Sequence, residues 1–486
     1  MNLKINIYLC LAIFIGKIFL DAILFKGFTV DSWTYYDLSK QIFSGYEPSF
    51  IRQYQYNSLH SPSFPFFYPL LIHFIDTILN IGIYSSLVLN ILILIACCIV
   101  SGAILKKLNL NQERLIIISF ILLYPPFFQE VAYGRSISLA TLEILLISYI
   151  FISQQYLSTK QLFTIGLIFS VSILTRFEFL ISFIIFTLWV LFKEKKVIGK
   201  ILFLVPPLIS IVIWITYSER YFNTLWITES SKLVLMPPQF GALDYVPSIE
   251  NNSFLSFITN IIVKEIKTFT SFILWGALTP TFIILAYLIY KYISHKKNML
   301  ITLKGYIGTK LIFLIVTISS VVPIVGLTGY TDGRYFFNLY LLITLFLLYT
   351  TPAIYSKNKI TTLCLIYTII ISSAWTIGRT VKKSISIDSS QEYITLIDKD
   401  NIRQCVEKHN LERILFITEN GFEQVSVSED AITSTALYFL SPTNIDKNNI
   451  NRFIHDYNID AIYSKNSILT DLPTIQCTSK LHIIKK

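Results

Sequence analysis

Apolar residues in this chain come in long runs rather than in alternation. Runs near 5–25, 83–105, 115–129, 136–153, 161–175, 178–192, 201–217, 268–290, 311–328, 335–352 and 360–378 carry almost no charge. Crossing a bilayer as a helix takes about 20 apolar residues, so the pattern predicts about eleven transmembrane helices. The runs near 115–129 and 161–175 have the least distinct boundaries. The segment from Phe66 to Leu79 is apolar but short and proline-rich. It reads as part of an outer loop that lies against the membrane or dips into it. After Arg379 the pattern changes: strand-like runs at Arg413–Thr418, Ala436–Leu440, Asp460–Tyr463 and Leu481–Ile484 appear, with a helical stretch, Asn449 to Tyr457, before the third. Strands alternating with helix predict a small α/β domain. The division that follows is a multi-span domain over 1–380 and a polar domain over 385–486.

Composition agrees. The 486 residues are 53% hydrophobic and 14% charged, against about 25% charged in soluble domains, which places the chain among polytopic membrane proteins. A net charge of +10 raises nucleic acid as a partner, but the basic residues form no single soluble face, and no nucleic acid is expected. They sit in alternate short loops: Lys106, Lys107 and Arg114; Lys160; Lys193, Lys195, Lys196 and Lys200; Lys291, Lys296, Lys297 and Lys304; Lys357 and Lys359. The positive-inside rule then predicts a cytoplasmic N-terminus and an extracytoplasmic C-terminal domain, in the plasma or inner membrane. The first loop, a long loop from Ser218 to Lys267 and the tail fall outside. The first apolar run, Ile5 to Leu24, has no convincing small-residue cleavage site and reads as a retained helix. Cys10, Cys97, Cys98 and Cys364 lie in apolar runs as small hydrophobes. Cys405 and Cys477 lie in the polar tail, where an oxidising compartment permits a disulfide. No Cys/His spacing suited to zinc occurs, and the tail has no glycine-rich phosphate loop. No internal repeat is visible.

The stretch Gly27–Leu70 concentrates the candidate chemistry. Asp31 stands at the mouth of the first apolar run, and Asp31 and Tyr35, four apart, share a helix face. Leu38 and Ile42 continue an apolar stripe suited to the bilayer surface, closed by Gly45. Then come Arg52, the aromatic Tyr54, Tyr56 and Tyr68, and His60 ahead of a proline-punctuated return. Asp31 has two readings, a solvated helix cap or a working carboxylate. Arg135, Arg176 and Arg334 lie at outer ends of spans, against the charge trend. Guanidinium binds phosphate bidentately and stays charged, so arginines converging on one place would hold a phosphate. Singly, each also reads as an arginine reaching to headgroups, or as one paired with Glu130, Glu178 or Asp332 respectively.

These residues resemble a family. Asp31 after the first span, the helix with Tyr35 ending at Gly45, and Ser61-Pro62-Ser63-Phe64-Pro65…Tyr68-Pro69-Leu70-Leu71 look like the first outer loop of GT-C glycosyltransferases, on the protein O-mannosyltransferase and lipid A aminoarabinose transferase branch. Tyr133-Gly134-Arg135-Ser136-Ile137-Ser138-Leu139, Leu174-Thr175-Arg176-Phe177-Glu178 and Gly333-Arg334-Tyr335-Phe336 resemble that branch's arginine motifs in order. Ser32 departs from the pattern, since many relatives carry a second acidic residue there. The resemblance implies a GT-C-like membrane fold and an inverting transfer of a sugar from a polyprenyl-phosphate donor to a hydroxyl of a lipid, glycan or protein, among membrane lipids. It implies Asp31 as base, Arg135, Arg176, Arg334 and Arg52 on the donor phosphate, and Tyr35, His60, Tyr68, Glu178 and Tyr335 about the substrate. No cofactor is assigned, and a divalent cation stays open. The alternative is a transporter or flippase of lipid-linked sugars or polysaccharide. That reading needs polar residues at mid-span and repeat symmetry, whereas here the polar residues gather at outer ends.

Overall fold

The computed structural model describes residues 12, 14–17, 32, 35–36, 38–39, 65–110, 113–222, 254–295, 305–323, 333–350, 357–387, 404–411, 413–417, 436–440, 451, 454–455, 459–464, 473–477 and 481–484. Asp31, Arg52 and His60 lie outside the described residues. The membrane part is built from α1 (Phe67–Leu79), α2 (Tyr84–Lys107), α3 (Arg114–Leu123), α4 (Pro125–Ala132), α5 (Ile137–Ile152), α6 (Thr159–Thr175), α7 (Phe179–Lys193), α8 (Val197–Phe222), α9 (Phe254–Ala277), α10 (Pro280–His295), α11 (Gly305–Ser319), α12 (Gly333–Thr350) and α13 (Lys357–Ile387).

Among the described residues, five helices are long and apolar enough to cross a membrane, or up to seven if two bent pairs each count as one span. Among the described residues, length and composition therefore do not by themselves confirm the count of about eleven. Four further helices, α1, α5, α6 and α7, are apolar but shorter. The run near 115–129 is not one straight helix: α3 and α4 meet at a 57° bend. Tyr124 sits there in an extended conformation, with Pro125 and Pro126 opening α4. A residue before proline is driven out of the helical region, and proline at a first turn loses no hydrogen bond. The run near 268–290 is likewise α9 and α10, bent by 80°. The helix α9 begins at Phe254, so the expected loop does not extend to Lys267; Lys264, Glu265 and Lys267 broke the apolar run without ending the helix. The last helix runs to Ile387, past the expected boundary at 380.

The core of the membrane part forms around α12, the most buried of the candidate spans. Phe336, Phe337, Leu342 and Leu345 on it are fully buried. Phe337 stacks on Phe127 of α4, ring centroids 4.0 Å apart, and on Tyr124 at 5.6 Å. Tyr340 stacks on Phe272 of α9 at 5.0 Å and donates to its carbonyl. The closest helix pairing elsewhere is α6 on α8, where Gly166 lets Phe203 approach: a Cβ there would lie 2.4 Å from the Phe203 carbonyl oxygen. Apolar side chains on α2, α8 and α9 point outward, as lipid-facing positions do.

The tail holds β1 (Arg413–Ile417), β2 (Ala436–Leu440), β3 (Ala461–Ser464), β4 (Thr474–Gln476) and β5 (Leu481–Ile484) in the order β2-β1-β3-β5-β4. The strands β2, β1 and β3 run parallel, and β5 and β4 are antiparallel additions. Ile414, Ala461, Tyr463 and Leu481 form its core with Cys405, Val406 and Leu411 from the helical turn at 404–409. Cys405 is bonded to Cys477. This is the expected α/β arrangement, with β4 as an addition that three half-exposed residues were too few to announce.

Candidate functional site

The site forms where three helix ends meet. At the first, Ala132 ends α4 and the chain turns through Tyr133-Gly134-Arg135-Ser136 into α5. Gly134 has φ +66°, a region that side chains with a Cβ disfavour. It also lies against α2: a Cβ at this position would be 2.1 Å from Ser86 Oγ. Both facts require glycine there, and both fix the direction of the next residue, Arg135. The turn is held from α2 by Asn90, which is fully buried. Its Nδ2 donates to the carbonyl oxygens of Arg135 (3.0 Å), Glu130 (3.3 Å) and Val131 (3.3 Å). Its Oδ1 accepts from Ser138 Oγ at 2.6 Å and Tyr68 Oη at 2.9 Å.

Tyr68 thereby joins α1 to the turn, and Tyr35 follows. The Tyr35 ring packs edge-on against Tyr68 with centroids 5.0 Å apart, and its hydroxyl is 2.9 Å from Ser136 Oγ. Next to it, Tyr36 donates to Asp76 Oδ2 at 3.1 Å. Asp76 Oδ1 accepts from Gly82 N and Ser85 Oγ at 2.7 and 2.9 Å, closing the α1–α2 turn. The described part of the first loop is thus anchored on the Arg135 turn by hydroxyls.

The second end is the start of α12. Arg334 and Phe337 are three apart and share a helix face, as do Glu130 and Phe127 on α4. Stacking Phe337 on Phe127 therefore brings Arg334 to Glu130. Arg334 Nη1 donates to Glu130 Oε1 at 2.8 Å, and Arg135 Nη1 donates to that same oxygen at 2.8 Å. The carboxylate side chain is 4% exposed and the two arginines 14% and 16%, so this bridge is withdrawn from solvent. Gly333 gives the close approach behind it, since a Cβ there would meet the Trp275 ring at 2.5 Å.

The third end is the α6–α7 turn. Arg176 leaves α6 in an extended conformation and donates to Glu178 Oε1 at 2.6 Å. Burial works against its charge; the Glu178 carboxylate, helped by Tyr335 and Tyr35, outweighs that and raises the guanidinium pKa. Thr175 anchors the turn by donating to Glu143 Oε1 on α5 at 2.8 Å. Tyr335 connects this end to the second: its ring lies under the guanidinium of Arg176 at 5.3 Å and of Arg334 at 4.9 Å.

The structure therefore brings together Arg135, Arg176, Arg334, Glu178 and Tyr335, with Tyr35 and Tyr68 on the adjoining network. Glu130 serves two arginines rather than the one that sequence separation suggested. Asn90 was missed altogether; an asparagine inside an apolar run was the available signal. Among the described residues no group of three metal-ligating side chains occurs.

No protein-family model matches the chain, and no curated protein matches it in sequence. Among solved structures, ArnT from Cupriavidus metallidurans bound to undecaprenyl phosphate is similar in fold, with a TM-score of 0.57 at 10% identity over 99% of this chain and 98% of that one. The same protein in the apo state gives a TM-score of 0.49 at 8% identity over 88% and 83%. At such identity the likeness is one of fold. It runs the length of the molecule: the chain is a polytopic helical membrane protein that shares the fold of that structure, with a small C-terminal α/β domain.

Proposed function

We propose that the chain is a membrane glycosyltransferase that moves a sugar from a polyprenyl-phosphate donor to an acceptor hydroxyl at the outer face of the membrane, with inversion. The observation that carries this reading is the gathering of Arg135, Arg176 and Arg334, from three separate helix ends, around Glu130 and Tyr335. The fold likeness supports it, since the similar structure is described with undecaprenyl phosphate bound.

The chemistry follows from the charges. The acceptor oxygen attacks the anomeric carbon, the bond from that carbon to the phosphate oxygen breaks, and polyprenyl phosphate leaves with the electron pair. Charge grows on the phosphate oxygens as the bond breaks, and preorganised guanidinium groups lower that barrier most where water is excluded. Phosphate is a good leaving group and needs no proton; the acceptor hydroxyl must lose one. Asp31 is assigned that proton as general base, and Arg52 and His60 are assigned to the same first loop. Tyr35, Tyr68 and Tyr335 offer ring faces to the sugar.

The test is transfer from polyprenyl-phosphate-linked sugars by the purified protein, wild type against Asp31→Asn. Asparagine caps a helix about as well as aspartate, so the variant is expected to fold and to melt like the wild type. Loss of a general base lowers the rate by about 10²–10⁴-fold. Near-normal transfer by a well-folded Asp31→Asn protein would make Asp31 a cap only.

A further inference from the structure

Glu130 accepts from two arginines, Arg135 and Arg334, and both bonds fall on a single oxygen at 2.8 Å. A carboxylate this buried keeps its charge only with partners at hand. Its partners in turn lie within twice that bond length of each other, a spacing at which two guanidinium groups repel strongly without an anion between them. Glu130 cannot readily withdraw, because Phe127, one turn before it on α4, is fully buried against Phe337. A guanidinium has five N–H donors, so one bond to Glu130 does not exhaust either arginine. The bridge therefore sets the spacing and facing of a guanidinium pair drawn from two ends of the sequence.

We propose that Glu130 is a positioning residue that holds Arg135 and Arg334 as a fixed pair for the donor phosphate, rather than an anion that the phosphate displaces. This rests on the reading of the arginines as the phosphate site. The experiment titrates undecaprenyl phosphate into the purified full-length protein. Glu130→Gln keeps the volume but removes the charge, and is expected to weaken binding at least about tenfold. Glu130→Asp keeps the charge but falls one methylene short of bridging both arginines, and is expected to restore part of what Glu130→Gln loses. Because Glu130 acts through the arginines, Glu130→Gln combined with Arg334→Gln is expected to bind little worse than Arg334→Gln alone, whereas independent effects add.

A folded Glu130→Gln protein that binds as well as the wild type, or more tightly, overturns the proposal; tighter binding would make Glu130 a competitor of phosphate. Fully additive losses overturn it too. If Glu130→Gln does not fold, wild-type affinity in Glu130→Asp overturns the proposal and weakened affinity supports it. A wild-type protein that does not bind the probe at all removes the phosphate-site reading itself, which is a separate result from any ranking of the variants.

Discussion

Gly134 shows how much one residue decides here. Its left-handed backbone and its contact with Ser86 leave no room for a methyl group, so Gly134→Ala is expected to destabilise the protein by about 2 kcal/mol or more, from the backbone conformation alone plus the displaced serine. Thermal melting in detergent measures this, and an unchanged midpoint would mean that the turn relaxes freely. Arg135 and Arg334 offer a second measurement. Removing either leaves Glu130 the other guanidinium, so each single Ala variant is expected to melt close to wild type. Removing both strips a buried carboxylate of both, which costs about 3–5 kcal/mol. The arginines themselves were legible in the sequence because they oppose the charge trend of the spans. Their convergence was not, because it depends on Phe127 meeting Phe337, a contact across more than two hundred residues. Glu143 and Lys310, both buried within apolar helices, were equally hidden: a single polar residue hardly alters a long apolar run. Lys310 donates to the carbonyls of Phe151 and Gln154 at the end of α5, and Glu143 anchors Thr175.

Elements were easier to read than their joints. The positions of α2, α5, α6, α7, α12 and α13 follow from uninterrupted apolar runs. The bends at Tyr124 and between α9 and α10 were read through, because an apolar run continues across a change of direction. Proline at 125 and 126 was the visible mark of the first. In the tail, four strands were legible from β-branched and aromatic runs, while β4 depends on pairing with β5. The link from Cys405 to Cys477 closes a sequence separation of 72, and constraining a loop of that size contributes about 2–4 kcal/mol. Cys405→Ser with Cys477→Ser is therefore expected to lower amide-exchange protection in β1, β3 and β5 while leaving the helices of the membrane part unaffected. Equal protection with and without the bond would show that the sheet core suffices alone.

At the scale of the whole molecule, the alternation of basic loops predicts that the chain beyond Ile387 is exported. A reporter active only outside the cytosol, fused after that residue, is expected to be active; a cytosolic signal would reverse the orientation and put the arginine cluster on the wrong face for a lipid-carried donor. Central to the proposed function is that Arg135, Arg176 and Arg334 together receive the phosphate of a polyprenyl carrier. A structure of this protein determined with undecaprenyl phosphate measures that directly. The phosphate is expected within hydrogen-bonding distance of all three guanidinium groups, with the Glu130 bridge still in place. A phosphate seated elsewhere in the molecule, with the three arginines turned only to their carboxylates, would contradict it.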